Sequence, residues 1–496
     1  VKKYNIEKQH LKGKYHAIER IILLLDKGSF REIGSGILNY GYDSSDEIIE
    51  YDGVITGTGK VCGKPIYVFS QDFSIKGGTL GLRHAKKIAH LIEMAIKSRC
   101  PIVGIFDSGG ARIDEGINAL AGCGDMMYFN TLASGVIPQI SVVVGPCAGA
   151  AAYSPAITDF VFVVDNIGCM FITGADVVKS VTGEECSLQE LGSASVHSIS
   201  SGVAHFRFER EKECFSSVRQ LLDILPSSYT QKLDCSSLTY FDNTVIDIHE
   251  FVPNDSRKVY DMIGLINKIV DEGSFIEVHR EFATNMVTGF AKLSNITIGI
   301  VSNQPCVNSG SIDCDSSDKA ARFVRFCDAF NIPIVTLVDT PGYLPGIDQE
   351  HQGIIRHGAK LLFAYSEATV PKVTVIIRKA YGGAYIAMGS RHLGSDFVYA
   401  WPNAEIAVMG PESAVSVIYK KESASMCEND KDIFIKEKVD EYSRKYLNAD
   451  IAVKEGYVDE LINPSNTRRR IFDDLISLSN KNDYTRPKKK HSNIPL

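Results

Sequence analysis

Four short segments concentrate the residues that could do chemistry. They are Asp107-Ser108-Gly109-Gly110-Ala111-Arg112, Gly145-Pro146-Cys147-Ala148-Gly149-Ala150-Ala151, Asp339-Thr340-Pro341-Gly342 and Lys379-Ala380-Tyr381-Gly382-Gly383-Ala384-Tyr385. Each follows an apolar run and precedes a helical pattern, so each reads as a strand-to-helix turn stripped of bulk. Such a turn presents bare backbone N–H groups, which together with the helix dipole hold a negative oxygen. Where that charge develops only in the transition state the arrangement is an oxyanion hole, in which one donor is worth ~2.7–4 kcal/mol. Glycine and alanine also serve close strand–helix packing. The recurrence of the pattern favours the functional reading.

Side-chain candidates are weaker. Ser108 lies in Asp-Ser-Gly-Gly rather than G-x-S-x-G, with no histidine evidently paired to it. His357, in Arg356-His357-Gly358-Ala359-Lys360, reads as a hydrogen-bonded helix residue, and Asp114-Glu115 as a solvated helix start rather than an acid–base dyad. No His/Asp/Glu cluster has metal-ligand spacing, so no metal site is expected. Backbone anion sites without an evident nucleophile or base suggest chemistry whose reactive groups come from the substrates.

The elements that must position these turns are duplicated. Pro101 to Gly110 resembles Pro333 to Gly342 at an offset of 232, and Pro138 to Val144 resembles Pro371 to Ile377 at 233. Gly149-Ala150-Ala151 falls on Gly382-Gly383-Ala384 at 233, Phe69-Ser70-Gln71 on Val301-Ser302-Asn303 at 232, and Asp159-Phe160-Val161 on Asp396-Phe397-Val398 at 237. So long a period means duplicated domains, not solenoid units. The repeating cores run from about Ile21 to Leu225 and from about Val259 to Leu475, with Pro226 to Asp255 as a polar connector. In each, a helix (Gly81–Lys97; Lys319–Asn331) leads into a strand (Ile102–Phe106; Ile334–Val338). A second helix (Asn118–Ser134; Gly353–Ser366) and a second strand (Gln139–Val144; Val373–Ile377) follow. Short continuous apolar runs between helices predict strands covered on both faces, hence an α/β architecture. Glu7 to Leu25 has helical periodicity, with Gly28 as its expected C-cap.

Composition narrows the class. Hydrophobic residues at 44% and charged residues at 23% exclude a disordered or collagen-like chain, and a net charge of −7 leaves no basic excess for nucleic acid. The runs Arg468-Arg469-Arg470 and Lys488-Lys489-Lys490 are short and read as solvated surface. Twelve cysteines contain no C-x-x-C, which removes zinc and thioredoxin readings and fits buried fillers in a reducing compartment. The N-terminus reads as no signal peptide. The uncharged stretch Met126 to Thr158 is broken by Pro138, Pro146 and Pro155 and reads as buried strand–turn–helix rather than a membrane span. A cytoplasmic location, with no direct membrane insertion, is expected.

Longer motifs add a resemblance. They include Glu19-Arg20-Ile21, Leu24-Leu25-Asp26, Gly28-Ser29-Phe30, Phe69 to Phe73, Asp107 to Arg112, Ser134 to Gln139 and Gly145 to Gly149. In the second half they include Ala320 to Asp328, Gly353 to Leu362, Ala368 to Val373, Arg378 to Tyr385, Tyr399 to Pro402, Val408-Met409-Gly410 and His491 to Leu496. Nearly end to end, the chain resembles the carboxyltransferase (β-type) subunits of biotin-dependent acyl-CoA carboxylases, of the propionyl-CoA carboxylase β and methylmalonyl-CoA decarboxylase α type.

The resemblance implies two tandem crotonase-like domains of the ClpP/crotonase superfamily. Residues 1–240 would form the acyl-CoA side and residues 241–496 the biotin side. It implies a homo-hexamer whose active site lies where the first domain of one subunit meets the second domain of another. Carboxylate would move between carboxybiotin and the α-carbon of a short-chain acyl-CoA, taking propionyl-CoA or acetyl-CoA to methylmalonyl-CoA or malonyl-CoA. In the family's mechanism carboxybiotin releases CO2, the biotin enolate takes the α-proton, and the thioester enolate captures the CO2. Two enolate oxygens then need one hole each. Carried over residue by residue, the holes fall on Gly149 and Ala150 and on Gly383 and Ala384. Substrate contacts fall on Gly109, Gly110, Ala111, Arg112, Ala151, Tyr153, Gly342, Tyr385 and Ile386.

Biotin would arrive on a partner, because the chain has no Met-Lys-Met and no ATP-binding region. The implied partners are a biotin carboxyl carrier protein and a biotin carboxylase subunit, or membrane decarboxylase subunits. The chain departs from the family where Ala150 stands for a usual glycine, at Tyr15-His16 and Asn308-Ser309, and at Ile386, which is Asp in many propionyl-type members. A decarboxylase subunit acting on methylmalonyl-CoA or malonyl-CoA therefore stays open. So do a biotin-independent crotonase-type hydrolase or acyl transferase, and a non-catalytic assembly subunit.

Overall fold

The computed structural model describes residues 6–37, 51–232, 251–253, 255, 258–482, 487 and 489–496. The chain divides into two compact units, Val1–Gln231 and Lys232–Leu496. The expected division between residues 240 and 241, residues 233–250 and 254 of the connector, and Lys488 lie outside the described residues.

The first unit runs α1 (Ile6–His10), α2 (Ala17–Leu24), β1 (Arg31–Ile33), β2 (Val54–Val61), β3 (Lys64–Gln71), α3 (Leu82–Ser98), β4 (Ile102–Ser108) and α4 (Ile117–Ala133). It continues through β5 (Gln139–Ala148), α5 (Ala150–Ile157), β6 (Phe160–Val164), β7 (Cys169–Phe171), α6 (Ala175–Thr182), α7 (Leu188–Gly192), β8 (Phe206–Phe208) and α8 (Glu211–Ile224). Its sheet is ordered β1-β2-β3-β4-β5-β6-β8, with β7 paired to β5. β1 to β3 pair antiparallel and the rest parallel.

The second unit repeats the plan. It runs α9 (Met262–Ile269), β9 (Ile276–Val278), β10 (Met286–Leu293), β11 (Ile296–Asn303), α10 (Cys314–Ala329), β12 (Ile334–Thr340), α11 (Ile347–Gln352) and α12 (Ile354–Glu367). Then come β13 (Lys372–Tyr381), α13 (Gly382–Ala387), β14 (Phe397–Ala400), β15 (Glu405–Ala407), α14 (Pro411–Ile418), α15 (Lys420–Ser423), α16 (Glu428–Tyr442), α17 (Ala449–Lys454), β16 (Glu460–Leu461) and α18 (Thr467–Ser477). The order β9-β10-β11-β12-β13-β14-β16, with β15 on β13, matches the first sheet strand for strand.

The apolar runs explain the layers. Ile102, Val103, Ile105 and Phe106 of β4 are buried on both faces, as are Ile334, Val335, Leu337 and Val338 of β12. α3 turns Ala85, Ile88, Leu91, Ile92 and Ala95 onto the sheet against Phe69, Ile102 and Phe106. Each fully buried Leu, Ile or Phe contributes ~1.5–3 kcal/mol. The duplication also reaches the rims. Asp26 accepts from the amides of Cys62 and Gly63 and pairs with Arg219 at 2.8 Å, while Asp271 accepts from Ser294 and Asn295 and pairs with Arg468 at 2.6 Å.

Several expectations are corrected. The single N-terminal helix is two helices, because Gly13 takes φ +70° and His16 caps α2 in a capping box with Glu19. Leu25, not Gly28, is the C-cap of α2. α10 begins at Cys314, ahead of the predicted Lys319, because Asp313 accepts from the Ser316 amide at 2.8 Å. β5 and β13 outrun their predicted ends, so Cys147, Ala148, Ala380 and Tyr381 are strand residues. Among the described residues no helix is long and apolar enough to cross a membrane. The eleven described cysteines are free; Cys62, Cys306 and Cys427 are exposed rather than buried.

Candidate active site

The two turns after β4 and β12 share one wiring. The Asp107 amide donates to Gln71 Oε1 at 3.1 Å, and that of Asp339 to Asn303 Oδ1 at 3.3 Å. Leu80 N donates to Gly110 O at 2.8 Å and Arg112 N to Leu80 O at 3.0 Å; Ile312 to Gly342 and Leu344 to Ile312 repeat this at 3.0 and 2.8 Å. Gly78 and Gly310 lie under the turns at φ +63° and +78°, where a Cβ would sit 2.1 Å from Asp107 O and 2.4 Å from Asp339 O. Gly110 packs against Ala148 O, so the first turn touches the strand that carries the second.

The helix starts after β5 and β13 are also equivalent. Gly149 leaves β5 at φ +55° and ψ −123°, a conformation that favours glycine, and Gly382 leaves β13 at φ +58°. Gly382 therefore corresponds to Gly149, Gly383 to Ala150 and Ala384 to Ala151. The Gly149 N–H is spent on Phe171 O at 2.9 Å. This corrects Gly149 as a donor: the open amides of the first turn begin at Ala150, since the first amides of a helix have no partner within it. Tyr153 and Ile386 are equivalent positions as well, and stand 47% and 39% exposed beside their helix starts.

The remaining expected residues divide. Gly109 is exposed on the turn, and nothing lies within 4 Å of a Cβ built at Gly342. Ala111 bridges to Leu80 as Tyr343 does to Ile312. Arg112 is committed internally, with Nη1 2.7 Å from Glu115 Oε1 and Nη2 2.8 Å from Thr79 O. It is scaffold rather than an open cation. Glu115 is not a solvated helix start, because its Oε2 accepts from the Leu82 amide at 2.6 Å. Asp114 is exposed, paired with Lys76. Ser108 Oγ accepts from the Gly110 amide at 3.2 Å, a structural role. His357 bonds Asp318 at 2.9 Å through Nδ1, as a helix residue.

Sequence reasoning missed the supports. Tyr343 lies between Gly358 and Gly383, its ring 3.5 Å from where a Cβ of residue 383 would be. Burial pushes its phenol up to about 12. Its hydroxyl, like that of Tyr385, has no hydrogen-bond partner among the described residues. Beneath the first turn, Gln71 Nε2 is 3.3 Å from His84 Nε2, and His84 Nδ1 is 3.0 Å from Asp52 O. Burial, then the Arg112 charge, hold His84 down at about 3, so it is neutral. Asp107 is buried against Lys14 and Arg20, and Asp339 against Arg378. The aspartates were visible in the repeat, but their cations come from unrelated positions. A cavity of about 610 Å³ in the first unit, lined by His10, Lys14, Asp165 and Arg210, opens beyond β6 and β8 rather than at either turn. Among the described residues no cluster could hold a metal ion.

Known proteins resemble the chain over nearly its whole length. The carboxyl transferase domain model matches residues 8–494. The carboxyltransferase subunit of propionyl-CoA carboxylase from Haloferax mediterranei is 49% identical, over 99% of this chain and 95% of its own. The methylmalonyl-CoA decarboxylase subunit alpha of Propionigenium modestum is 48% identical, over 99% and 95%. The transcarboxylase 12S structure, a hexamer assembly with methylmalonyl-CoA and methylmalonic acid bound, superposes with a TM-score of 0.93 at 46% identity, covering 99% of this chain and 94% of its own.

Proposed function

We propose, from the premise that the chain belongs to the carboxyl transferase family, that it moves carboxylate between biotin borne by a partner and the α-carbon of a short acyl-CoA. The chain is an enzyme of carboxyl transfer, built as two tandem crotonase-like α/β domains. The observation that carries the finer reading is the equivalence of the two helix starts. Each has a positive-φ glycine leaving the strand and, after it, amides that helix geometry leaves without an intrahelical partner, at Ala150 and at Gly383.

The first unit takes the acyl-CoA and the second takes biotin. Amides at Ala150 and Ala151 hold the thioester oxygen more tightly as its α-proton leaves, because the oxygen then carries the enolate charge. Biotin, once carboxylated, supplies the CO2 and the base. The residues of the second unit fit its ureido oxygen: Gly383 is exposed, only the Tyr343 ring faces its missing Cβ, and Gly342 opens on free space. Tyr153 and Ile386 stand where they can touch acyl and biotin groups. No side-chain base is needed, which matches the internal engagement of Ser108, Arg112 and His357.

Carboxylation and decarboxylation share one transition state, and the partners set the direction. These partners are a biotin carboxyl carrier protein with a biotin carboxylase, or membrane decarboxylase subunits, around a homo-hexamer. The free cysteines support a reducing compartment such as the cytoplasm. The test is loss of CO2 from malonyl-CoA and from methylmalonyl-CoA, with and without free biotin. Biotin-dependent loss supports the reading, and the faster substrate names the acyl class. Loss of CO2 or of CoA that ignores biotin overturns it in favour of a biotin-independent crotonase-type enzyme that uses one hole only.

A further inference from the structure

Asp107 and Asp339 mark the place where two neighbouring parallel strands fall out of register. β4 and β5 pair regularly up to Phe106–Val143, after which Ser108 meets Cys147. β12 and β13 do the same between Val338–Ile376 and Thr340–Ala380. The aspartate is the one residue skipped on β4 and on β12, against three on each partner strand. The slack lets β5 and β13 swing out onto β7 and β15 and start their helices at Gly149 and Gly382. Irregularities of this kind re-aim strands beside active sites.

A carboxylate buried there needs a cation, and the two units supply it differently. In the second, Arg378 projects from β13 itself, its Nε 3.0 Å from Asp339 Oδ2. The equivalent residue of β5 is Gly145, where a Cβ would lie 1.8 Å from Asp107 Oδ1 and 2.7 Å from Lys14 Nζ. The cations come instead from the N-terminal segment. Lys14 Nζ is 2.8 Å from Asp107 Oδ1, Arg20 Nη1 is 2.9 Å from Oδ2, and Arg20 Nη2 reaches Val144 O on β5 at 3.1 Å. Glu211 balances the second positive charge, 2.6 Å from Arg20 Nε.

We propose that Lys14 and Arg20 are positioning residues. The N-terminal segment clamps the ends of β4 and β5 and so sets the turn at Asp107–Ala111 and the helix start at Ala150, as Arg378 does from within the strand in the second unit. Which substrate feels the clamp rests on the first unit being the acyl-CoA side; the clamp itself does not.

The experiment is amide hydrogen exchange on the full-length protein, comparing wild type, Lys14→Met and Lys14→Arg. In Lys14→Met, which keeps the Arg20 pair, exchange at residues 107–111 and 145–151 rises about tenfold. Residues 339–344 and 378–384 of the same molecules stay unchanged, and Lys14→Arg behaves as wild type. In biotin-dependent decarboxylation the KM for the thioester rises and that for biotin does not. Unchanged exchange at 107–111 and 145–151 overturns the proposal, and so does a rise throughout the molecule, which is general loss of stability. A local rise accompanied by a shift in the biotin KM upholds the clamp and overturns the assignment of the first unit to acyl-CoA. Arg20→Lys, which keeps the charge but loses the reach to Val144, is read the same way if Lys14→Met does not fold.

Discussion

The amide N–H of Gly149 donates to the carbonyl oxygen of Phe171 at 2.9 Å, so the glycine that opens the turn is tied to β7 and offers no donor of its own. Ala150 is then the first residue of α5 with an amide to give. Proline suits the first helical position, because that N–H has no intrahelical partner and the ring fixes a helical φ. Ala150→Pro therefore removes the first of the amides proposed as hole donors and leaves the helix. The expected result is a fall of ~10²–10³-fold in kcat, with the melting temperature close to wild type. Steady-state decarboxylation of a malonyl-type thioester and a thermal melt measure both.

Gly78 separates conformational strain from collision. Gly78 and Gly63 both have positive φ, +63° and +79°, but a Cβ at Gly78 meets Asp107 O at 2.1 Å while one at Gly63 meets nothing within 4 Å. Gly63→Ala carries only the backbone penalty of ~1–2 kcal/mol. Gly78→Ala must also push the Asp107 turn away, so it costs about 3 kcal/mol or more, and on the proposed role of that turn in holding the substrate it lowers activity as well. Urea unfolding and activity assays on the two variants check the contrast.

Much of this was legible in the chain. The repeat at 232–233 residues placed Asp107 on Asp339 and Gly149 on Gly382, and the sheets obey it strand for strand. Helix interiors such as Leu82–Ser98 were readable because burial imposes their period. What escaped was long-range. Nothing near Asp107 in sequence says that Lys14 and Arg20 neutralise it. The Gly149 amide could not be known as spent until β5 was seen to continue past Val144 onto β7. The second occurrence of Asp-x-Gly-Ser-Phe, at Asp26 and Asp271, was readable and would have extended the repeat to both rims.

Arg378 neutralises Asp339 within a buried pair, Nε to Oδ2 at 3.0 Å, and also donates to Lys258 O at 2.7 Å. Removing one partner of such a pair strands the other charge, at ~3–5 kcal/mol. Arg378→Met is expected to destabilise by that amount. Adding Asp339→Asn should recover part of the loss, because the stranded charge disappears while the Lys258 carbonyl stays unpaired. A double-mutant cycle by denaturant unfolding gives the coupling, and additive losses would mean the pair does not interact.

Asp474 is one source of pH-dependent stability. It sits on α18, 8% exposed, with Oδ2 lacking a hydrogen-bond partner among the described residues. Burial raises its carboxyl to about 6, against the opposing pull of the Tyr399 hydroxyl and Arg470. The folded value lies above the unfolded one, so between about 4 and 6 the native state binds more protons and stability falls as pH rises. At neutral pH the charged carboxylate is therefore a liability. Asp474→Asn keeps an oxygen for Tyr399 and carries no charge. Its melting temperature should exceed wild type at pH 7.5, the gap narrowing as the pH drops through 6 and closing near 4. A gap that stays constant across that range would show that the residue acts through packing rather than ionisation.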